Sequence, residues 1–225
     1  MTSATESSQQ VPIALITGFA PFDGEAINPS LEIAQSLDGE TLAGHRIVAA
    51  ALPTEFARAL ATLDVHLRHH RPRLVVALGQ AGGRSGISLE RVAVNLIDAR
   101  IADNAGEQPV DVRVVRNGPA AYFSTLPIKA MLAALRDADI PVELSQSAGA
   151  FVCNQVFYGL MHRLARRRKR VRGGFIHVPY LPRQAEKFPG TASLPLDTMT
   201  RALRLCLHVA LTTQEDLRYA AGTTH

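Results

Sequence analysis

Cysteine is scarce in this chain, which contains only Cys153 and Cys206 among its 225 residues. So few thiols exclude the disulfide framework that stabilises many small secreted domains. Cys206 lies in an apolar run with helical spacing, residues 199–210, where no polar neighbour would activate a thiol. We therefore expect Cys206 to be a buried core residue, which leaves Cys153 as the candidate for chemistry.

Long apolar runs are missing as well. No run approaches the roughly 20 residues that a helix needs to cross a bilayer. Residues 1–10 are polar and serine-rich, unlike a secretory signal, and no internal repeat or linker is visible. We therefore expect a cytoplasmic protein without membrane contacts, with a disordered N-terminal tail over residues 1–10 and one functional domain over residues 11–220.

Acidic residues are absent from the most basic stretch, residues 163–172, which contains seven lysines and arginines. No aromatic residue interrupts this stretch, and no nucleic-acid-binding motif accompanies it. Cations are favoured near the C-terminal end of a helix, where they complement the helix dipole. The pattern therefore predicts a solvated helix end, and we expect no nucleic-acid partner.

Short apolar runs alternate with amphipathic segments along the chain. The apolar runs predict strands over residues 13–17, 47–52, 73–78, 92–97, 142–144 and 175–178. The amphipathic segments predict helices over residues 30–37, 55–70, 128–135, 156–164 and 196–217. This alternation predicts a single-domain α/β fold, with a mostly parallel twisted sheet flanked by helices on both faces.

In such a sheet, ligands bind where the C-terminal ends of the strands meet the following loops. Cys153 lies in one of these loops, at the predicted start of a helix. Unpaired backbone N–H groups and the helix dipole lower the pKa of a thiol there, and the same groups can bind an oxyanion. A nucleophilic thiol and a small buried residue are both consistent with this position.

A nucleophilic cysteine needs a base, and histidine has a suitable pKa of about 6.5. Among eight histidines, His177 alone lies near the end of a predicted buried strand, although such a histidine is also commonly a hydrogen-bonded core residue. A carboxylate would orient the imidazole ring. Glu90, Asp98 and Asp103 are all candidates for that role, and their spacing does not choose among them.

Two other kinds of site have weaker support. The sequence contains no C-x-x-C, H-E-x-x-H or other metal-ligand spacing, so we expect neither a metal site nor a cofactor. The glycine-rich stretch 79–86 matches neither the Walker A pattern nor the dinucleotide-binding pattern. Its Gly82, Gly83 and Arg84 are the only candidates for a phosphate site.

Four segments carry a joint pattern. The first is TGFAPFDGE (17–25) with NPS (28–30), and the second runs from GQAGGR (79–84) to ERVAVN (90–95). The third is DARIADN (98–104), and the fourth joins SAGAFVCN (147–154) to GGFIHVPYLP (173–182). Together they resemble the pyroglutamyl peptidase I (pyrrolidone-carboxylate peptidase) family, from about Ile13 to the last predicted helix. Any one segment alone would be weak support.

The resemblance implies a catalytic triad in which Cys153 is the nucleophile, His177 the base and Glu90 the carboxylate that orients the base. It also implies a pocket for the 5-oxoproline ring. A neutral, flat, partly polar ring suits aromatic walls with an amide partner. The matching pocket positions are Phe19, Phe22, Ile101, Phe151 and Val152, with Gln80 as a polar contact to the lactam and Arg100 near the reacting carbonyl.

The resemblance further implies the activity and the partners. The expected enzyme is a cysteine omega-peptidase whose peptidase domain removes the N-terminal pyroglutamyl residue from peptides through a thioester. The family also implies a homo-oligomer, either a dimer or a tetramer. Asp23 stands where a glycine is common in the family, and Gln155 where a histidine is common. A nucleoside-phosphorylase-like enzyme and a non-catalytic binding module are the alternatives.

Overall fold

Nine strands and six helices alternate in the computed structural model, which describes residues 11–167 and 171–222. The strands are β1 (Ile13–Phe19), β2 (Thr41–Leu42), β3 (His45–Leu52), β4 (Leu74–Gln80), β5 (Ile87–Glu90), β6 (Val92–Val94), β7 (Ala121–Phe123), β8 (Val142–Ser145) and β9 (Arg172–Val178). The helices are α1 (Pro29–Ser36), α2 (Phe56–His70), α3 (Ile128–Asp137), α4 (Val152–Ala165), α5 (Pro182–Ala185) and α6 (Leu196–Thr212). The predicted N-terminal tail lies outside the described residues, as do residues 168–170 of the basic stretch.

Seven of these strands form one mixed sheet in the order β2-β3-β1-β4-β9-β5-β8. The central pairs β3-β1, β1-β4 and β4-β9 are parallel, and so is β5-β8, whereas β2-β3 and β5-β9 are antiparallel. The predicted α/β class with a mostly parallel sheet is therefore confirmed. The C-terminal ends of β1, β4 and β9 lie at the same edge of the sheet.

Side chains that alternate along the central strands fill two separate cores. Leu15 and Val75 pack on one face of the sheet with α2 and α4. Ile16 and Val76 point to the other face and pack with α1, α3 and α6. Because both faces are covered, the central strands are continuously apolar, which is why their sequence pattern identified them. Cys206 lies fully buried in the second core, as its apolar surroundings predict.

Two strand predictions were wrong. The predicted strand over residues 92–97 is only β6, and it pairs with β7 in a separate two-stranded sheet. The sequence predicted no strand between the predicted strands 73–78 and 92–97, yet this segment contains β5 of the main sheet. β5 has four residues, which is too short for periodicity to distinguish a strand from a loop.

The end of the last helix also differs from its prediction. α6 ends at Thr212 rather than at residue 217. The chain beyond it returns to the start of α3, where the Asp216 carboxylate accepts hydrogen bonds from the backbone N–H groups of Lys129 and Ala130. The basic stretch is less solvated than predicted. Arg163 forms an ion pair with Asp64 of α2, because α4 packs against that helix.

No helix in the described part of the chain has the length and apolar character needed to cross a membrane.

The N-terminus of α1 approaches β1 very closely. Asn28 caps this helix by accepting a hydrogen bond from the Ser30 backbone N–H, and the Ser30 hydroxyl accepts one from the backbone of Phe19. A Cβ atom added at Gly18 would lie 2.3 Å from the carbonyl oxygen of Ser30. Glycine at position 18 therefore allows the loop after β1 to fold onto the helix.

We expect Gly18→Ala to destabilise the protein, because the added methyl group meets backbone atoms of a capped helix that cannot move independently. The free energy of unfolding, measured by urea denaturation, should fall by at least about 1–3 kcal/mol. Gly222→Ala is the matched control, since no heavy atom lies within 4 Å of its added Cβ. Equal stabilities for the two variants would contradict the close approach.

Candidate active site

A cleft of about 320 Å³ opens at the C-terminal edge of the sheet, where β1, β4 and β9 meet the start of α4. Its lining includes six of the residues singled out from the sequence: Phe19, Phe22, Gln80, Phe151, Cys153 and His177. The cleft thus brings together side chains from four distant segments. Its position is the one expected for ligands of a parallel sheet.

His177 is held from behind by Glu90. Its Nδ1 lies 2.8 Å from the Glu90 Oε1, and both residues are buried. The contact follows from the sheet, because β5 runs antiparallel to β9 and pairs Glu90 with Phe175 and Ser88 with His177. A carboxylate can only accept hydrogen bonds, so Nδ1 carries the hydrogen and Nε2 keeps its lone pair. The buried carboxylate therefore fixes the tautomer in which Nε2 can act as a base.

Arg84 lies beside the same carboxylate, with its Nη2 3.4 Å from Glu90 Oε1. The guanidinium also contacts Glu143 Oε1 at 2.8 Å and donates to the Ser147 carbonyl oxygen at 3.1 Å. A buried carboxylate needs a positive partner or hydrogen bonds to offset its desolvation. Arg84 supplies such a charge, a role that the sequence did not assign to it.

The other two candidate carboxylates are elsewhere. Asp98 is exposed on the loop 98–109. Asp103 is buried, and its carboxylate accepts hydrogen bonds from the backbone of Phe56 at 2.6 Å, Ala105 at 2.8 Å and Glu107 at 2.9 Å. Asp103 therefore caps α2 from a distant loop, and Glu90 is the one of the three that contacts His177.

Cys153 occupies the first turn of α4, which begins at Val152 after an extended Phe151. The first backbone N–H groups of a helix have no acceptor within the helix. Behind the thiol, Gly79 of β4 leaves little room, since a Cβ added there would lie 2.8 Å from the Cys153 Sγ. Gly79 also pairs with His177 across β4 and β9. Cys153 and His177 are thus both neighbours of Gly79.

The thiol is not activated in the way that its helix position predicts. Burial, and to a lesser extent the negative charge of Glu90, raise the pKa of Cys153 to about 12. No hydrogen bond joins its Sγ to His177, both of which are among the described residues. Catalytic hydrogen bonds are often long in structures without substrate and shorten when the substrate binds. A pKa in this range favours the neutral thiol over the thiolate at neutral pH.

Aromatic rings form the rest of the cleft wall. Phe151 contacts Phe22 with ring centroids 5.3 Å apart, and it meets Phe56 edge-on at 5.0 Å. Phe19 and His177 both pack against Phe175, with centroids at 6.4 Å and 4.8 Å. The result is an apolar slot that ends at the imidazole and the thiol.

Three predicted pocket residues do not line the cleft. Val152 is fully buried beneath it, and Arg100 and Ile101 are exposed on the loop 98–109. Asn104 anchors this loop near the cleft, because its side chain donates to the Pro21 carbonyl oxygen at 2.9 Å. The roles of these three residues in binding remain predictions.

The sequence assigned no role in this cleft to Asn28, Thr54 and Arg84, which also line it, and Arg84 was a candidate only for a phosphate site. Thr54 donates from its hydroxyl to the carbonyl oxygen of Ala20 at 3.0 Å, which ties two loops of the cleft together. The residue types of Asn28 and Thr54 carry no chemical signal by themselves. Only the TGFAPFDGE and NPS segments marked the neighbourhood as important.

The two alternative kinds of site, a metal site and a phosphate site in the glycine-rich stretch, gain no support from the structure. No cluster of three or more metal-ligating side chains occurs within residues 11–167 and 171–222. Arg84, the candidate for a phosphate site, is paired with Glu90 and Glu143. Gly82 packs against the Tyr180 ring, which a Cβ at position 82 would approach to 2.3 Å. The glycine-rich stretch therefore packs around the carboxylate and the tyrosine ring.

Comparison with known proteins identifies the family. The family model described as pyroglutamyl peptidase matches residues 13–213. The chain belongs to the pyroglutamyl peptidase family. Pyrrolidone-carboxylate peptidase 1 of Ralstonia nicotianae is 53% identical over 96% of this chain and 100% of its own length. The pyrrolidone-carboxylate peptidase of Cupriavidus taiwanensis is 55% identical over the same shares.

Solved structures of the pyroglutamyl peptidase family have the same fold. The crystal structure of pyroglutamyl peptidase I from Bacillus amyloliquefaciens matches with a TM-score of 0.90 and 42% identity, covering 94% of this chain and 100% of the other. A mutant pyrrolidone carboxyl peptidase from Pyrococcus furiosus matches with a TM-score of 0.86 and 40% identity, covering 88% and 98%. The single-domain fold predicted from the sequence is thus the fold of the family.

Asp23 is a departure from the family pattern that the backbone explains in part. Its φ is 55°, in the left-handed region that glycine adopts without cost, and Gly24 follows with a φ of 73°. Aspartate is one of the non-glycine residues that tolerate this region best. The turn that carries Phe22 into the cleft is therefore kept with aspartate at position 23.

The raised pKa of Cys153 predicts a pH dependence for its alkylation. Only the thiolate reacts, and with a pKa of about 12 the thiolate fraction at neutral pH is small. The rate of iodoacetamide labelling at Cys153, followed by mass spectrometry, should rise about tenfold per pH unit from pH 7 to 10. Cys153→Ser is the control and should stay unlabelled, since Cys206 is fully buried. A plateau below pH 9 would instead indicate a preformed thiolate–imidazolium pair.

Proposed function

We propose that this chain hydrolyses the peptide bond after an N-terminal pyroglutamyl residue, through a thioester on Cys153. Membership of the pyroglutamyl peptidase family supports the activity. The observation that carries the assignment of residues is the buried contact between Glu90 and His177, which leaves Nε2 as a base at the cleft that Cys153 also lines.

The substrate is matched by the character of the cleft. A pyroglutamyl residue has its amine locked in a lactam, so it brings a neutral, flat ring rather than an ammonium group. The rings of Phe19, Phe22 and Phe151 supply an apolar slot, and Gln80 supplies an amide for the polar edge of the lactam.

Acylation begins as the Cys153 Sγ attacks the carbonyl carbon that joins pyroglutamate to the next residue. Nε2 of His177 takes the thiol proton in the same step, which avoids a free thiolate in a site where the pKa of Cys153 is about 12. The carbonyl oxygen becomes an oxyanion, which the unpaired N–H groups at the start of α4 stabilise. The C–N bond then breaks, and His177 protonates the departing amine.

Deacylation repeats these roles with water. Nε2 of His177 takes a proton from a water molecule that attacks the thioester carbonyl carbon, and the tetrahedral intermediate expels the Cys153 sulfur. The sulfur regains the proton from His177, and pyroglutamate leaves. Throughout the cycle, Glu90 stabilises the imidazolium that forms, and Arg84 offsets the negative charge of Glu90 while the imidazole is neutral.

Two further features of the proposal concern its setting. The mechanism needs Cys153 as a free thiol, and both cysteines are free, which fits the reducing cytoplasm that we predict. The homo-oligomer, a dimer or a tetramer, and the absence of a nucleic-acid partner also stay predictions. Size-exclusion chromatography with light scattering would establish the oligomeric state.

The nucleophile is tested by its replacement. Cys153→Ser should lower kcat/KM for a pyroglutamyl-coupled fluorophore by at least about a thousandfold, because serine is a much weaker nucleophile beside this histidine. Cys206→Ala, in the core on α6, is the matched control and should keep the kcat/KM of the parent chain. Activity that persists in Cys153→Ser and is lost in Cys206→Ala would show that Cys153 is not the nucleophile.

Glu90 is tested by an isosteric change. Glu90→Gln removes the negative charge that orients and stabilises the imidazolium, so we expect kcat to fall by about 10²–10⁴-fold with KM changed only a few-fold. Glu40→Gln makes the same chemical change at an ion pair with Arg204, and kcat should stay unchanged. An unchanged kcat in Glu90→Gln would remove Glu90 from the triad.

A further inference from the structure

A second cavity lies at the edge of the sheet opposite the active site, where the parallel strands begin. Its volume is about 640 Å³, and it lies between the start of β1 and the connection from α2 to β4. Its lining contains three arginines and two histidines: Arg68, His69, His70, Arg71 and Arg73. Among the described residues, no aspartate or glutamate lines it. The protein therefore has a basic cavity that the proposed mechanism does not use.

The short connection between α2 and β4 brings these side chains together. α2 ends at His70, and Arg71 follows in the left-handed region with a φ of 46°, so the chain turns immediately after the helix. Pro72 is buried, whereas Arg71 and Arg73 on either side of it are exposed. The backbone N–H of Arg73 donates to the carbonyl oxygen of Ile13 at 2.8 Å. Backbone contacts therefore hold the two walls of the cavity against each other.

The charges of the three arginines are not compensated by carboxylates. Within residues 11–167 and 171–222, the guanidinium groups of Arg68, Arg71 and Arg73 form no ion pair and no hydrogen bond. Elsewhere in the fold, arginines are paired with carboxylates, as in Arg58, Arg84, Arg163, Arg183 and Arg204. Positive charge thus accumulates around this cavity, whereas it is neutralised by ion pairs at those five positions.

The dipole of α2 does not account for three arginines at its end. The C-terminal end of a helix carries the equivalent of about −0.5 charge, which a single guanidinium already exceeds. In the last turn of α2, the carbonyl oxygen of Leu67 accepts hydrogen bonds from the backbone N–H of Arg71 and from Nη2 of Arg167, both at 3.3 Å. The guanidinium groups of Arg68, Arg71 and Arg73 therefore leave an excess of about +2.5 charges at the cavity.

The histidines beside the cavity add little charge at neutral pH. Burial, followed by the positive charge of His69, lowers the pKa values of His66 and His70. The rings of His66 and His70 are stacked with centroids 5.8 Å apart, and His69 meets His70 edge-on at 4.6 Å. Asp38 raises the pKa of His70 to a smaller extent, and its carboxylate accepts a hydrogen bond from the backbone of Ala49 at 2.7 Å. The arginines therefore supply the charge, and neutral imidazole rings offer hydrogen bonds beside them.

We propose that this cavity binds a small polyanion in which two or more phosphate groups are linked. A guanidinium matches phosphate oxygens with paired N–H donors and keeps its charge throughout the physiological pH range. Linked phosphates spread several negative charges over a length that separate arginines can contact, which a single phosphate does not. The concave shape concentrates the field of the cations, and a volume of about 640 Å³ suits a small molecule. The site is separate from the cleft and goes beyond the proposed function.

The direct test is isothermal titration calorimetry with sodium tripolyphosphate. The titration is run near neutral pH and at low ionic strength, where salt screens the charges least, with EDTA to remove divalent cations that would neutralise the ligand. We expect one tripolyphosphate per chain, with a dissociation constant below about 100 μM. Orthophosphate should bind at least about tenfold more weakly, because it meets fewer of the arginines. A parent chain that binds no tripolyphosphate, or binds orthophosphate equally well, would overturn the proposal.

Single charge removals locate the site. Arg68→Gln and Arg73→Gln should each weaken the binding of tripolyphosphate about tenfold, and the double variant should bind more weakly than either. Arg136→Gln is the matched control, because Arg136 is also an exposed arginine in the last turn of a helix, α3, and its loss changes the net charge equally. Its affinity should stay within about twofold of the parent chain. An equal loss in Arg136→Gln would show a general attraction to a basic protein and would overturn the proposal.

Two further ligands identify the source of the phosphates. ATP that binds as tightly as tripolyphosphate, with the same sensitivity to Arg68→Gln, would assign the site to the phosphate chain of a nucleotide. ATP that binds at least about tenfold more weakly would assign it to free polyphosphate, and either result supports the site. A single-stranded oligonucleotide that binds more tightly than both, with the same sensitivity, would overturn the proposal in favour of a nucleic-acid surface. Failure of the proposed hydrolysis would leave all these binding measurements unaffected.

Discussion

The hydrogen bond between Glu90 and His177 is the interaction on which the site depends. It places a carboxylate with no solvent exposure at 2.8 Å from an imidazole, on two neighbouring antiparallel strands. Burying such a charge is unfavourable unless hydrogen bonds and a cation compensate. His177 supplies the hydrogen bond and Arg84 the cation, so the sheet and the glycine-rich stretch together make the buried carboxylate tolerable. In return, the imidazole has one orientation and one tautomer.

The remaining parts of the cleft are built around that fixed imidazole. Gly79 lets the first turn of α4 bring the Cys153 sulfur against β4, and the phenylalanines form an apolar slot that leads to it. Burial raises the pKa of the thiol to about 12, which is why the proposed mechanism joins the proton transfer to His177 with the attack. In the proposed mechanism, the slot that admits a neutral lactam thus also determines how the nucleophile is activated.

The sequence predicted the central strands because they are covered on both faces and are therefore continuously apolar. It predicted Cys153 and His177 from their positions beside strand ends, but the choice among Glu90, Asp98 and Asp103 depended on a family resemblance. The carboxylate could not be chosen from local patterns because β5 is too short for its side-chain periodicity to reveal a strand. Only the antiparallel pairing of β5 with β9 brings Glu90 to His177. Arg84 contacts Glu90, Glu143 and Ser147, which come from distant segments, and no local sequence pattern records such contacts.

The most direct test of this account is to trap the covalent intermediate. The chain would be mixed with a pyroglutamyl ester, quenched in acid within the first turnover, digested and analysed by mass spectrometry. We predict one added pyroglutamyl group, carried by the peptide that contains Cys153. An acyl group on another residue, or turnover of the ester with no covalent intermediate in the quenched samples, would contradict the account.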